Sequence, residues 1–154
     1  MPDSEIRVTL PDGSTKVLPA GATGRDLAQA IGPGLARAAL AARVNSEVRD
    51  LSRPLPDGVA VALLTDRDPQ ALDVLRHSSA HVLATAVRQL FPHAKIGFGP
   101  PIEDGFYYDF EVPTPFTPDD LALIEAKMRE VTAANHPFVR EEVDRAEAKR
   151  RFMD

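Results

Sequence analysis

Residues 68–91 read DPQALDVLRHSSAHVLATAVRQLF, and they decide the architecture of the second half of the chain. Asp68 suits a helix N-cap, and Pro69 suits the first helical position, where a missing N–H costs nothing. Phe91 precedes Pro92, which disfavours helical backbone in the residue before it. One long helix is predicted between these signals. Leu72, Leu75, Val82, Leu83, Ala86, Val87 and Leu90 fall on one contiguous face of about 140°. His77 and His81 lie near 140° and 180° from Leu72, with Arg88 near 160°, on the side away from that stripe. Residues four apart on a helix hold their Cβ atoms about 5–6 Å apart, so the two imidazoles are neighbours. Three readings of the pair stay open: an ordinary solvated face, a shared zinc, or acid–base work on a bound substrate. Ser78 stands where a zinc-protease motif needs Glu.

Downstream, Ala94 to Val112 is rich in glycine and aromatics. Asp104-Gly105 is a hairpin-turn signal. After it Phe106, Tyr108, Phe110 and Val112 share one strand face, and Tyr107, Asp109 and Glu111 the other. The aromatic run suits either core packing or base stacking. Thr117 or Asp119 starts a helix through Leu121, Ile124, Met128 and Val131. Phe138 to Val143 reads as a strand. Asp144 opens a last helix, inside which the sequence stops at Asp154, as a truncated chain would. His93 and His136 read as surface histidines beside prolines. Arg140, Arg145, Arg150 and Arg151 alternate with acidic residues, the pattern of a solvated face.

Upstream, residues 5–10 (EIRVTL) alternate in polarity, and Pro11-Asp12-Gly13-Ser14 leads into a second extended piece, Thr15 to Leu18. That is a β-hairpin pattern. Thr23 with Asp26 resembles a capping box for a helix carrying Leu27, Ala30 and Ile31 on one side, and Gly32-Pro33-Gly34 ends it. Leu40–Val44 and Val59–Leu64 are further strand candidates. Two strands, a helix and two or more strands within about 65 residues suggest a ubiquitin-like β-grasp. A boundary is expected near Thr65–Pro69.

The 154 residues are 44% hydrophobic and 27% charged, with a net charge of −5, normal values for a soluble globular protein. Cysteine is absent, which excludes disulfides, thiol catalysis and Cys-ligated zinc within this chain. No apolar run approaches the ~20 residues of a membrane span. The start, MPDSEIRVTLPDG, has no signal-peptide pattern, and a cytoplasmic location fits.

Arg76-His77-Ser78-Ser79-Ala80-His81, followed by Ile96-Gly97-Phe98-Gly99-Pro100-Pro101-Ile102-Glu103-Asp104-Gly105-Phe106-Tyr107-Tyr108-Asp109-Phe110, closely resembles the editing domain of bacterial-type threonyl-tRNA synthetases. Residues 5–65, with Leu10-Pro11-Asp12-Gly13-Ser14 and Ala42-Arg43-Val44-Asn45, resemble the TGS domain that opens those enzymes. The resemblance implies an α+β chain: a TGS β-grasp over residues 1–66, then a truncated editing domain over 67–154 with a long helix and a hairpin. It implies a ligase that attaches threonine to tRNA(Thr) with ATP and hydrolyses mischarged seryl-tRNA(Thr). His77 and His81 match the first histidine pair of the editing motif, and Tyr108 matches a tyrosine lining that cleft. In the family a later Cys-x-x-x-His segment and a lysine complete the cleft, and neither lies within these residues. The aminoacylation domain, with its ATP, Mg and Zn sites and its homodimer contacts, also lies outside. No metal site or cofactor is expected in this chain itself, nor a membrane partner. The expected partners are tRNA(Thr) and, for the full-length enzyme, L-threonine and ATP. This piece alone is expected to be inactive. The alternative is a non-catalytic, TGS-containing tRNA-binding or regulatory module.

Overall fold

A computed structural model describes residues 5–137 and 139–152. Strands β1 (Glu5–Thr9) and β2 (Thr15–Pro19) form the expected hairpin, with Glu5 opposite Pro19 and Thr9 opposite Thr15. In its turn the Asp12 carboxylate accepts the Ser14 N–H at 2.9 Å and hydroxyl at 2.6 Å. Gly13 takes φ 82°, the left-handed backbone for which glycine is suited. Helix α1 (Gly24–Ile31) starts on a complete capping box: Thr23 accepts the Asp26 N–H, and the Asp26 carboxylate accepts the Thr23 N–H. Its packed face runs through Gly24, Leu27 and Ala28, so Ala30 and Ile31 stay exposed, contrary to expectation. Gly32-Pro33 does end α1, but Pro33 is also the first residue of a short second helix, α2 (Pro33–Ala38).

Strands β3 (Ala41–Val44) and β4 (Glu47–Arg49) make a second hairpin, turning at Asn45 with φ 54°. Strand β5 (Val59–Leu64) inserts between the hairpins, parallel to β1 and antiparallel to β3. The sheet order is β2-β1-β5-β3-β4. Ile6, Val8, Leu18, Val44 and Val61 face Leu27 and Ala28 of α1, and Leu51 and Leu55 close the core. A mixed sheet with its last strand central and a helix across one face is a β-grasp, as expected.

Helix α3 (Pro69–Leu90) has the predicted bounds. Asp68 occupies its N-cap position, yet its carboxylate turns back to accept the Thr65 N–H at 2.8 Å. The predicted apolar stripe is not buried as one surface: Leu72 is 38% and Leu75 39% exposed. The two ends of the helix rest on different partners. At the start, Ala71 packs with Ala41 and Leu64 of the sheet, flanked by Leu40, Val48 and Val74. At the far end, Ala86 and Val87 join Ala94 and Ile124 in a separate core with Leu90, Phe91, Phe110, Val112, Phe116 and Met128.

That second core is closed by short strand pairs and a helix. Strand β6 (Lys95–Ile96) and β7 (Pro101–Ile102) precede β8 (Gly105–Phe106) and β9 (Phe110–Glu111); β6 pairs with β9, and β7 with β8. Pro101 opposes Phe106 and Ile102 opposes Gly105, so the turn residues are Glu103 and Asp104, one position earlier than expected. The 106–112 run is not one strand, because its partner changes from β7 to β6. The alternation survives: Tyr107, Asp109 and Glu111 are exposed, and Phe106, Tyr108, Phe110 and Val112 half-buried. Phe110 meets Phe116 edge-on with centroids 6.1 Å apart, so it serves the core rather than offering a free stacking face. Helix α4 (Pro118–Ala133) repeats the capping box with Thr117 and Asp120. It buries Ile124, while Leu121 stays 59% exposed. Residues 139–143 form no strand, and Phe138 lies outside the described residues. Helix α5 (Arg145–Phe152) follows, with the Asp144 carboxylate accepting the Glu147 N–H at 2.8 Å. No helix among the described residues is long and apolar enough to cross a membrane.

Candidate functional site

Helix α3 carries His77 and His81 on one exposed side, one turn apart. Their rings stack, with centroids 4.8 Å apart and planes inclined by 24°. A stack brings ring faces together, whereas a shared zinc needs two nitrogens converging at about 2.0–2.1 Å. Among the described residues no three or more His, Asp or Glu side chains are grouped to hold a metal ion. Two turns beyond His81 lies Arg88. It makes no ion pair among the described residues.

Tyr108 comes from the irregular link between β8 and β9. Its ring stacks on Phe110, with centroids 5.0 Å apart and planes 19° from parallel. The backbone beside it is pinned: the Gly97 N–H donates to the Asp109 carbonyl and the Asp109 N–H to the Phe98 carbonyl, each at 2.9 Å.

These elements enclose a cavity of about 750 Å3. His81, Arg88, His93, Lys95, Tyr108 and Arg151 line it, with no carboxylate among the described lining residues. Lys95 is paired with Glu111 at 2.6 Å. Arg151 is held by Glu147 and Glu141, which raise its already high pKa. Arg88 is therefore the guanidinium best able to meet an anion. His77 is not part of this lining; it sits one turn away, against His81. A smaller cavity, about 340 Å3, shares His81 and adds His136.

The structure thus brings Tyr108 and His81 to one cavity, with His77 behind His81. His93, which reads as a plain surface histidine, is exposed as expected but also lines that cavity. Nothing local to Phe91-Pro92-His93 signals this, since the turn after α3 acquires its place only when β6 pairs with β9. Chemically, the cavity offers an aromatic wall, imidazoles and a guanidinium without an ion-pair partner among the described residues, a set suited to a phosphate-bearing ligand with a polar reacting group.

Residues 6–65 match the TGS domain family. The chain is 52% identical over 145 residues to the threonine–tRNA ligase of Citrifermentans bemidjiense, covering 94% of this chain and 23% of that protein. It is 49% identical over 151 residues to the corresponding ligase of Symbiobacterium thermophilum, covering 98% and 23%. With the ligase of Granulibacter bethesdensis the identity is 53% over 147 residues, covering 96% and 23%. Spanning about 23% of the length of these relatives, the chain is homologous over nearly its whole extent to the N-terminal region of threonine–tRNA ligases, TGS domain included.

Proposed function

We propose that this chain is the TGS and editing portion of a threonine–tRNA ligase, with residues 1–66 as the TGS unit and residues 67–154 as the first part of the editing domain. The complete enzyme joins L-threonine to tRNA(Thr) in the cytoplasm, using ATP with Mg and Zn bound in regions outside this chain, and dimerises through its catalytic domain. The portion described here serves a second reaction, hydrolysis of seryl-tRNA(Thr).

The need for that reaction is energetic. Serine lacks one methyl of threonine, and a methylene-sized difference is worth only about 1–3 kcal/mol in a pocket. One selection step therefore leaks serine, and a second site must remove it. Water attacks the ester between the serine carbonyl and the terminal ribose. The ester bond breaks, the ribose hydroxyl leaves with a proton, and serine departs as the free acid. Such a site must orient the water, relay protons and neutralise developing charge. The His77–His81 pair orients the water or the ribose hydroxyl at the mouth of the cavity. Tyr108 forms the facing wall. Arg88 receives the phosphodiester of the terminal nucleotide.

The observation that supports this reading most is the convergence of His81, Tyr108 and Arg88 on one cavity, where among the described residues Arg88 has no ion-pair partner and no carboxylate lines the wall. Catalytic groups that act as a unit lose most of their rate enhancement when one member is missing. Residues 1–154 by themselves are therefore expected neither to charge tRNA nor to deacylate seryl-tRNA(Thr). The test uses the intact ligase carrying His81→Ala or Tyr108→Ala. Deacylation of seryl-tRNA(Thr) should fall at least ~10-fold, with threonylation unchanged. Wild-type deacylation in both variants overturns the assignment.

A further inference from the structure

We infer that Gly99 is a positioning residue of this cleft, its missing side chain being what lets the Tyr108 ring stand where it lines the cavity with His81. The inference rests on the editing reading above.

The geometry is unusually tight. A Cβ built on Gly99 would lie 2.1 Å from Cδ2 of Tyr108 and 2.5 Å from both its Cε2 and Cγ. Those atoms span the near half of the ring and its root, so turning the tip aside does not relieve the clash. Ordinary contact begins at 3.4 Å, so the ring must retreat by about 1.3 Å to admit a methyl group. The backbone cannot absorb that shift. The reciprocal bonds between Gly97, Phe98 and Asp109, both 2.9 Å, lock the two segments in register immediately beside the contact. The stacked ring of Phe110, anchored in the second core, limits sideways motion. The free route is rotation about the Cα–Cβ bond of Tyr108, which carries the ring out of the cavity wall.

Gly97 is a different case. Its Cβ would lie 2.8 Å from the Asp109 carbonyl oxygen, so its glycine serves backbone pairing rather than ring placement. The two glycines of the Gly97-Phe98-Gly99 run thus do separate jobs: one lets the segments approach, and the other leaves a bay for the ring.

A misplacement of about 1 Å at a reacting centre can cost on the order of 100-fold in rate. The test is a double-mutant cycle on the intact ligase, with seryl-tRNA(Thr) deacylation and Tm as readouts. Gly99→Ala should lower deacylation about 10- to 100-fold while threonylation stays normal. Gly99→Ala/Tyr108→Ala should deacylate no more slowly than Tyr108→Ala, because without the ring there is nothing to displace. Multiplying losses in the double variant, or wild-type deacylation in Gly99→Ala beside an impaired Tyr108→Ala, overturns the inference and leaves the editing reading standing. Wild-type deacylation in Tyr108→Ala removes the editing role of this tyrosine and the inference with it. If Gly99→Ala alone unfolds, the double variant should recover the Tm of Tyr108→Ala, and failure to recover it overturns the inference.

Discussion

Leu64→Ala should uncouple the start of α3 from the sheet and loosen the helix that carries His77 and His81. Leu64 is 1% exposed and packs with Ala41 and Ala71, themselves 2% and 0% exposed. Leu→Ala changes in cores cost about 2–5 kcal/mol, depending on how far the site collapses. Here the flanking Leu40, Val48 and Val74 are only partly buried, so water and neighbouring side chains can occupy part of the void. The cost is therefore set near the low end, about 2–3 kcal/mol. The Arg43–Gln70 hydrogen bond is 3.0 Å long and exposed, and it remains in the variant, so it does not replace the apolar contacts that are lost. Ala71 precedes His77 by six residues, about 9 Å of helix rise, so the seam anchors the histidine face from close by. Urea unfolding should register the loss. Amide hydrogen exchange should show weakened protection in the first turns of α3 and retained protection around Val87. A stability change below ~0.5 kcal/mol, or unaltered exchange at the start of α3, would refute the reasoning.

Replacing both His77 and His81 with Ala should change stability by less than about 1 kcal/mol, because the exposed stack lost is offset by the better helix propensity of Ala; a Tm drop matching more than ~2 kcal/mol would place the pair in a core. Arg88→Ala in the intact ligase should weaken tRNA binding and reduce the salt dependence of log K by about one phosphate contact, and an unchanged slope counts against Arg88 as a phosphate ligand. The Asp120 carboxyl is held below the ordinary carboxylate range by the backbone and hydroxyl of Thr117. Its stabilising effect is therefore complete above the unfolded value near 3.8 and is lost as pH falls through the lower folded value. Asp120→Ala should be less stable than the parent at pH 6, the gap narrowing as pH falls below about 4, and a gap that does not narrow in acid would refute the cap assignment.

Local signals were enough to set the bounds of α3, since Pro69 and Pro92 act on backbone conformation whatever surrounds them. The same holds for the capping box at Thr23, whose hydrogen bonds span three residues, while at α4 the structure chose Thr117 over Asp119 as the start and added the box with Asp120. Helical periodicity alone put His77, His81 and Arg88 on one side, and period-two alternation sorted residues 106–112 into exposed and half-buried sets. These features depend on neighbours a few residues apart. Strand pairing does not. The central place of β5 and the switch from β7 to β6 along the aromatic run turn on which distant segment supplies hydrogen-bond partners. The exposure of Leu72 and Leu75 has a similar cause. A hydrophobic stripe states which face can be buried, but the partners, here a sheet at one end and α4 at the other, decide how much of it is. The cavity belongs to the same class. His81, His93 and Tyr108 meet only because α3, the turn after it and the β8–β9 link converge in space, and the bay left by Gly99 has meaning only once the Tyr108 ring is beside it.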